Sequence, residues 1–208
     1  MDRTAKFWDR IAEGYSKQPV SDEAAYQKKL EVTRGYLTPE MELLEFGCGT
    51  GSTAIAHAPY VKHIQALDIS PRMIEIAKGK AEAQRVENVT FERSTLDEVS
   101  VPDQSLDAVL GLNVLHLVSN KEGAISKVYR MLKPGGVFVS STVCLGDSRL
   151  RILKYVAPVG RLIGLNLRVF ASKELEDSLT EGGFEIDYEW RPAKGSALFI
   201  VARKPVEL

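Results

Sequence analysis

Residues 43–52 read LLEFGCGTGS, and they hold the densest chemistry in the chain. A carboxylate, Glu45, stands two residues before the first of three alternating glycines, Gly47, Gly49 and Gly51, with Cys48 inside the turn. Glycines at such spacing allow a tight turn and close approach of backbone to a ligand. The dinucleotide fingerprint G-x-G-x-x-G requires glycine at position 52, where this chain has Ser52. A carboxylate this close to the ligand end of the strand would repel a pyrophosphate and attract an ammonium. S-adenosylmethionine carries an α-ammonium and a sulfonium and no phosphate, so it suits Glu45 better than a nicotinamide dinucleotide does. A second acid, Asp68 in ALDIS, stands where such folds place a carboxylate on ribose hydroxyls, and an ionised carboxylate accepts the two hydrogen bonds of a vicinal diol.

The elements around these residues alternate between β-rich runs and helical stretches, the pattern of βαβ units and a parallel sheet. Residues 41–46 predict a first strand, 62–68 a second, NVTFERS a third and 106–112 a fourth that is apolar nearly throughout, as a central strand is. Ser70 and Pro71 predict the N-cap and first position of a helix running to about Arg85. Another helix over 120–132 ends at Lys133-Pro134-Gly135-Gly136, a turn before the strand VFVSST. Ser172 is the expected N-cap of a later helix that ends at Gly182-Gly183. FEIDYEW and ALFIVAR follow with a short connection and predict a closing antiparallel pair. The expected fold is α/β, a Rossmann-like doubly wound seven-stranded sheet, mostly parallel with an antiparallel C-terminal hairpin strand. The whole of 1–208 reads as a single domain, with 1–30 as an N-terminal cap and 147–170 as a lid insertion.

The ordered set LLEFGCGTGS, LDIS-PRMIEIAK, PDQSLDAVLGLNVLHLV and LKPGGVFV resembles class I S-adenosylmethionine-dependent methyltransferases of the small-molecule type. The resemblance covers residues 7–143. It implies that Glu45 and Gly47 hold the methionine moiety, that Gly49 lets the cofactor pass, and that Asp68 binds the ribose with Ile69 against the adenine. After the third strand the family often has an acid for the adenine amine. Here Thr95 and Leu96 stand in that place, a departure in which a hydroxyl replaces a carboxylate. Asn113 and the loop after strand four would lie beneath the methionine end. The implied activity is in-line methyl transfer to a small organic acceptor.

Other side chains in the sequence could also take part in chemistry. Cys48 reads as a small residue packed under the turn rather than a nucleophile, and Cys144 as either a substrate contact or a spare thiol. His116, in LNVLHLV, is the candidate general base, with a packing or helix-capping role as the alternative. His57 and His63, on either side of Pro59, read as surface residues. Phe7, Trp8, Ile11 and Tyr15 recur at helical spacing; most of this stripe is expected to pack on the domain, with Tyr15 reaching cofactor or substrate and Tyr26 and Lys29 as weaker candidates. Residues 149–167 are apolar with interspersed Arg149, Arg151, Lys154 and Arg161; Pro158 and Gly160 interrupt them, which favours a lid over a membrane-surface helix.

Composition sets the remaining bounds. The chain has 208 residues and a formal net charge of -1, with 44% hydrophobic and 26% charged residues. That balance argues against a nucleic-acid partner, as does the lack of an Asn-Pro-Pro-Tyr-like run after strand four. Two cysteines and three scattered histidines make neither a disulfide framework nor a metal motif. No signal-like or bilayer-length apolar run is present, so the reading is a cytoplasmic protein, monomer or homodimer, with membrane contact possible but not favoured. Two alternatives stay open: a lipid- or quinone-like acceptor met at a membrane surface, and a catalytically silent S-adenosylmethionine-binding module.

Overall fold

The computed structural model describes residues 3–147, 167–193 and 195–206. Its contacts divide the chain into two compact units, Met1–Val99 and Ser100–Leu208. Between them they supply one seven-stranded sheet in the order β3-β2-β1-β4-β5-β7-β6.

The first unit opens with helices α1 (Arg3–Lys17) and α2 (Glu23–Arg34). It continues with β1 (Glu42–Phe46), α3 (Ser52–His57) and a short 3-10 turn (Ala58–Tyr60). β2 (His63–Asp68), α4 (Pro71–Ala83) and β3 (Val89–Arg93) complete it. β1 and β3 flank β2 in parallel, with Leu43 opposite Ile64 and Ala66 opposite Phe91. Leu43, Leu44, Ile64, Leu67 and Met73 are buried among the largest side chains of this core.

α4 begins as its sequence predicts. The Ser70 hydroxyl accepts from Met73 N at 3.1 Å and Pro71 occupies the first turn, where a missing N–H costs nothing. Met73, Ile74, Ala77 and Ala81 form its buried stripe. Arg85, at φ 55, lies beyond its end.

α1 packs on α4, but not by the aromatic stripe expected of it. Ala5 and Ala12 are the buried residues of α1, and Asp9 lies on the same face. Small side chains let the helix come close, and Asp9 then accepts from Arg72 N in the first turn of α4. Phe7, Trp8 and Ile11 remain half-buried.

The second unit holds β4 (Leu106–Leu112), α5 (Lys121–Met131), β5 (Leu132–Thr142), α6 (Ser172–Glu181), β6 (Glu185–Trp190) and β7 (Leu198–Arg203). β4 pairs parallel with β5; β7 pairs antiparallel with both β5 and β6. This is the mixed sheet with an antiparallel end that the sequence predicts.

Two local expectations change. β5 starts at Leu132, so Lys133-Pro134-Gly135-Gly136 is not a turn before the strand but part of it. The register against β4 shifts there, Gly135 takes φ 81, and Lys204 exchanges backbone bonds of 2.8 Å with Gly135 and Gly136. The segment is a bulge that keeps its pairing. Ser172 is the first residue of α6 rather than its cap. Its N–H donates to Asp147 Oδ1 at 2.9 Å and its hydroxyl donates to Asp147 Oδ2, so a carboxylate from 25 residues upstream caps the helix.

Lys204 is buried and donates to the carbonyls of Tyr129 (2.9 Å) and Leu132 (2.8 Å) at the end of α5. Its ammonium also lies 4.5 Å from the centre of the Tyr129 ring. The cation thus meets both the negative end of a helix and an aromatic face. Of the segment expected to be a lid, residues 148–166 lie outside the described residues. No described helix is long and apolar enough to cross a membrane.

Candidate functional site

β1 delivers Glu45 to the start of the glycine turn. Gly47, Gly49 and Gly51 all take positive φ, at 67, 54 and 76. Cys48 N donates to Leu67 O at 2.9 Å, tying the turn to β2, and Gly51 N donates to Cys48 O at 3.0 Å, closing it. Gly49 and Gly51 serve different ends. A Cβ on Gly51 would lie 2.7 Å from Phe91 Cε1 and 2.8 Å from Ala77 Cβ, so this glycine lets the turn close on α4 and β3. A Cβ on Gly49 would meet nothing within 4 Å. That open flank is where a ligand can pass the backbone.

Asp68, at the end of β2, holds the same turn. Its Oδ2 accepts from Gly49 N and its Oδ1 from Ser70 N, each at 2.9 Å. Burial raises its pKa and these backbone donors oppose the rise. The Ile69 N–H also points at this carboxylate; with about four acceptor positions in all, one remains for a ribose hydroxyl.

Glu45 is 2% exposed, and its Oε2 has no hydrogen-bond partner among the described residues. Burial, and secondarily the charge of Asp68, push its pKa up to about 8. A buried carboxylate oxygen without a donor is expensive unless something cationic answers it. The α-ammonium of S-adenosylmethionine fits that demand; a pyrophosphate does not.

Tyr26, on α2, is half-buried and hydrogen-bonded to the Thr53 side chain, and burial, chiefly, together with the Glu45 charge raises its pKa. It is therefore the aromatic residue brought near Glu45. Tyr15 is 49% exposed, with its ring edge-on to Trp8 at 6.4 Å. Lys29 is half-buried, and burial lowers its pKa. Nothing in the spacing of α2 sets Tyr26 above Tyr15; the packing of α2 on α3 does.

Ile69 is half-buried beside Asp68 and Leu96 is buried; Ser94 N donates to Asp68 O at 3.1 Å, which ties the two segments together. Thr95 forms a closed box with Glu98: its N–H and hydroxyl donate to Glu98 Oε2 at 3.1 and 3.0 Å, and Glu98 N donates back to Thr95 Oγ1 at 3.1 Å. The hydroxyl that replaces the family's acid is thus engaged locally. Burial raises the Cys48 thiol well above its ordinary pKa, so it is no thiolate nucleophile.

The second unit places Asn113 at the end of β4 with φ 56, its N–H donating to Ser141 O at 2.6 Å. His116 is 8% exposed, its Nδ1 has no partner among the described residues, and burial lowers its pKa. Its carbonyl accepts from Arg168 N at 2.8 Å. The ring is therefore neutral at pH 7, the form that accepts a proton. Cys144 is buried, with Sγ donating to Thr142 O at 3.6 Å.

His57 is not the surface residue expected. It is 0% exposed, neither ring nitrogen has a partner among the described residues, and burial, then Arg34, drives its pKa down to about 4. The segment before Pro59 turns into the core, where the unpaired ring stays neutral. Stability from this group is complete above the unfolded value of 6.5 and is lost as pH falls through 4. The loss should reach about 3 kcal/mol, since each pH step between those two values costs roughly 1.4 kcal/mol. Urea titrations between pH 7 and 4 should show it, and His57→Phe should flatten that slope; an equally steep acid loss in the variant would assign it to other groups.

A nucleotide-type cofactor turn on a mixed seven-stranded sheet defines a class of α/β cofactor-binding proteins, and residues 43–136 match the family described as a methyltransferase domain. The chain belongs to the class I S-adenosylmethionine-dependent methyltransferases. A demethylmenaquinone methyltransferase of Tropheryma whipplei (strain Twist) is 34% identical over 165 residues, 76% of this chain and 63% of that protein. An uncharacterized methyltransferase of Bacillus subtilis (strain 168), YcgJ, is 35% identical over 100 residues, 48% of this chain and 40% of that one. The crystal structure of the [4+2]-cyclase SpnF superposes with a TM-score of 0.76 at 20% identity, covering 92% of this chain and 86% of that one. The chain thus spans less than two thirds of the length of these two curated relatives.

Proposed function

We propose that the chain transfers a methyl group from S-adenosylmethionine to a small organic acceptor in the cytoplasm. The observation that carries the reading is the buried Oε2 of Glu45, without a hydrogen-bond partner among the described residues, beside a turn with one open glycine flank. The cofactor supplies an electrophilic methyl carbon on its sulfonium. Glu45 and Gly47 hold the ammonium end, Asp68 accepts from a ribose hydroxyl, and Ile69 and Leu96 enclose the adenine, with Thr95 nearby. Asn113 borders the methionine end. Holding acceptor and methyl in line at about 3–3.5 Å supplies much of the rate. His116 takes the proton when the acceptor carries one, and Tyr26, which feels the charge of Glu45, takes the orienting role expected from sequence of the exposed Tyr15.

A quinone- or lipid-like acceptor is the second reading, supported by the demethylmenaquinone relative. The cyclase neighbour, named for another reaction, keeps a third in view: a cofactor-binding protein that does not methylate. Release of S-adenosylhomocysteine over a panel of phenols, amines, thiols and reduced quinones distinguishes them. Turnover with one class names the acceptor; tight S-adenosylmethionine binding with no release across the panel would point to the silent module.

Asp68→Ala should weaken S-adenosylmethionine binding by about 1.5–3 kcal/mol, the worth of hydrogen bonds to a charged acceptor. Because Asp68 also holds Gly49 N, the turn should exchange its amide hydrogens faster in the variant. Calorimetry showing unchanged affinity would remove Asp68 from the site.

A further inference from the structure

Asp9 on α1 and Ser70 before α4 are 61 residues apart in sequence, and their side chains meet at 2.5 Å. The Ser70 hydroxyl donates to Asp9 Oδ1, which also accepts from Arg72 N at 3.1 Å. The Ser70 N–H in turn donates to Asp68 Oδ1 at 2.9 Å, and Asp68 Oδ2 accepts from Gly49 N at 2.9 Å. Ser70 is fully buried, so water cannot replace any member of this chain of bonds at that residue. The series runs without a break from the cap helix to the open glycine of the cofactor turn. Arg72 adds ion pairs to Glu13 of α1 and to Glu75, both at 2.5 Å, but these are exposed and weak in water. The groove beside them, lined by Asp9, Arg10, Glu13, Pro71, Arg72 and Glu75, is charged throughout except for Pro71, and so reads as the seam of the docked helix rather than a pocket for an organic acceptor.

We infer that Asp9 is a positioning residue for the cofactor: through Ser70 it sets Asp68 and Gly49, so that docking of α1 and binding at the turn are coupled. The inference rests on the assignment of Asp68 and Gly49 to S-adenosylmethionine. The physical ground is that one serine is fixed from three sides. Asp9 accepts the hydrogen bond of its hydroxyl, which turns the oxygen lone pairs toward Met73 N, and its N–H is left aimed at Asp68. Removing Asp9 frees the hydroxyl to rotate and leaves Arg72 N without its acceptor. Coupling of this kind is reciprocal, so the bound cofactor must also hold α1 down.

Titration of the full chain with S-adenosylhomocysteine, paired with amide hydrogen exchange, tests this. In the unaltered protein the ligand should slow exchange in α1. Asp9→Ala should weaken binding about five- to twentyfold, inside the span of measured site-to-site couplings, and abolish the protection of α1. Asp9→Asn keeps an acceptor oxygen and should recover most of the affinity. Asp9→Ala and Ser70→Ala should be non-additive, as members of one series are. Glu13→Gln, which breaks only the exposed ion pair, should bind normally. If Asp9→Ala loosens α1 while affinity stays unchanged, Asp9 is a structural strap and the inference is wrong. The same holds if the ligand leaves α1 exchange unaltered in the parent protein. Asp68→Ala separates the two levels: lost affinity there with none lost at Asp9 overturns the coupling alone, whereas unchanged affinity at both overturns the cofactor assignment as well. Should Asp9→Ala fail to fold, Ser70→Ala carries its readings: weakened binding with lost protection of α1 supports the coupling, and unchanged affinity overturns it.

Discussion

Glu45→Gln is expected to weaken S-adenosylmethionine binding by about 2–5 kcal/mol at pH 8.5, the range for removing one partner of a buried charge pair. Glutamine preserves shape and one acceptor but not the charge. The unaltered protein should show a pH dependence that the variant lacks. With its pKa raised to about 8, Glu45 carries a proton in the ligand-free protein at pH 7, and that proton must leave before the carboxylate can meet an ammonium. Affinity should therefore rise about tenfold per pH unit up to about 8. Calorimetry at pH 7 in buffers of different ionisation enthalpy should register proton release on binding. The sign for the ligand-free fold is the opposite one. A raised carboxyl pKa contributes stability that is whole below the unfolded value of 4.5 and lost as pH rises through 8, so the ligand-free protein should weaken toward alkaline pH and Glu45→Gln should not. A pH-independent affinity without proton release would show that Glu45 is already ionised, or that it does not meet the ligand.

His116→Ala should lower kcat by about 10²–10⁴ for an acceptor that must lose a proton, the usual worth of a positioned base, while S-adenosylhomocysteine affinity stays nearly intact. Because burial lowers the His116 pKa, the acid limb of kcat in the unaltered protein should fall below the ordinary value of 6.5. Rate should climb through that limb as the ring loses its proton and then level off. His116→Gln fills similar space without basicity and guards against a packing artefact. The carbonyl contact to Arg168 N is backbone and survives either change. Unaltered turnover and pH profile in both variants would make His116 a packing residue and leave the rate to positioning.

What can be read from the chain depends on how local the physics is. Glu45 and the glycine turn are contiguous, and Ser70-Pro71 caps its own helix, so their types and spacing suffice. The bounds of β4 are legible because burial on both faces leaves a run that is apolar but for Asp107. The failures are all long-range. Ser172 looks like a cap until Asp147 comes round to take that role. The Pro-Gly-Gly segment looks like a turn until Lys204 pairs with it. His57 looks exposed because a proline follows it, yet the core closes around its ring. In α1 the aromatic period draws attention from Ala5, Asp9 and Ala12, whose importance exists only once α4 is beside them.

The pairing of β5 has a consequence for how the protein is made. Its neighbour β7 is the last strand of the sheet in chain order, yet it lies between β5 and β6. Until residues 198–203 have left the ribosome, the edge formed by Val137, Phe138 and Val139 has no partner on that side. Such an apolar, β-branched edge invites pairing with another nascent chain. The interval is longest where translation pauses between β6 and β7. Slow synthesis there should favour aggregation, and a holding chaperone should act on this edge before the hairpin inserts.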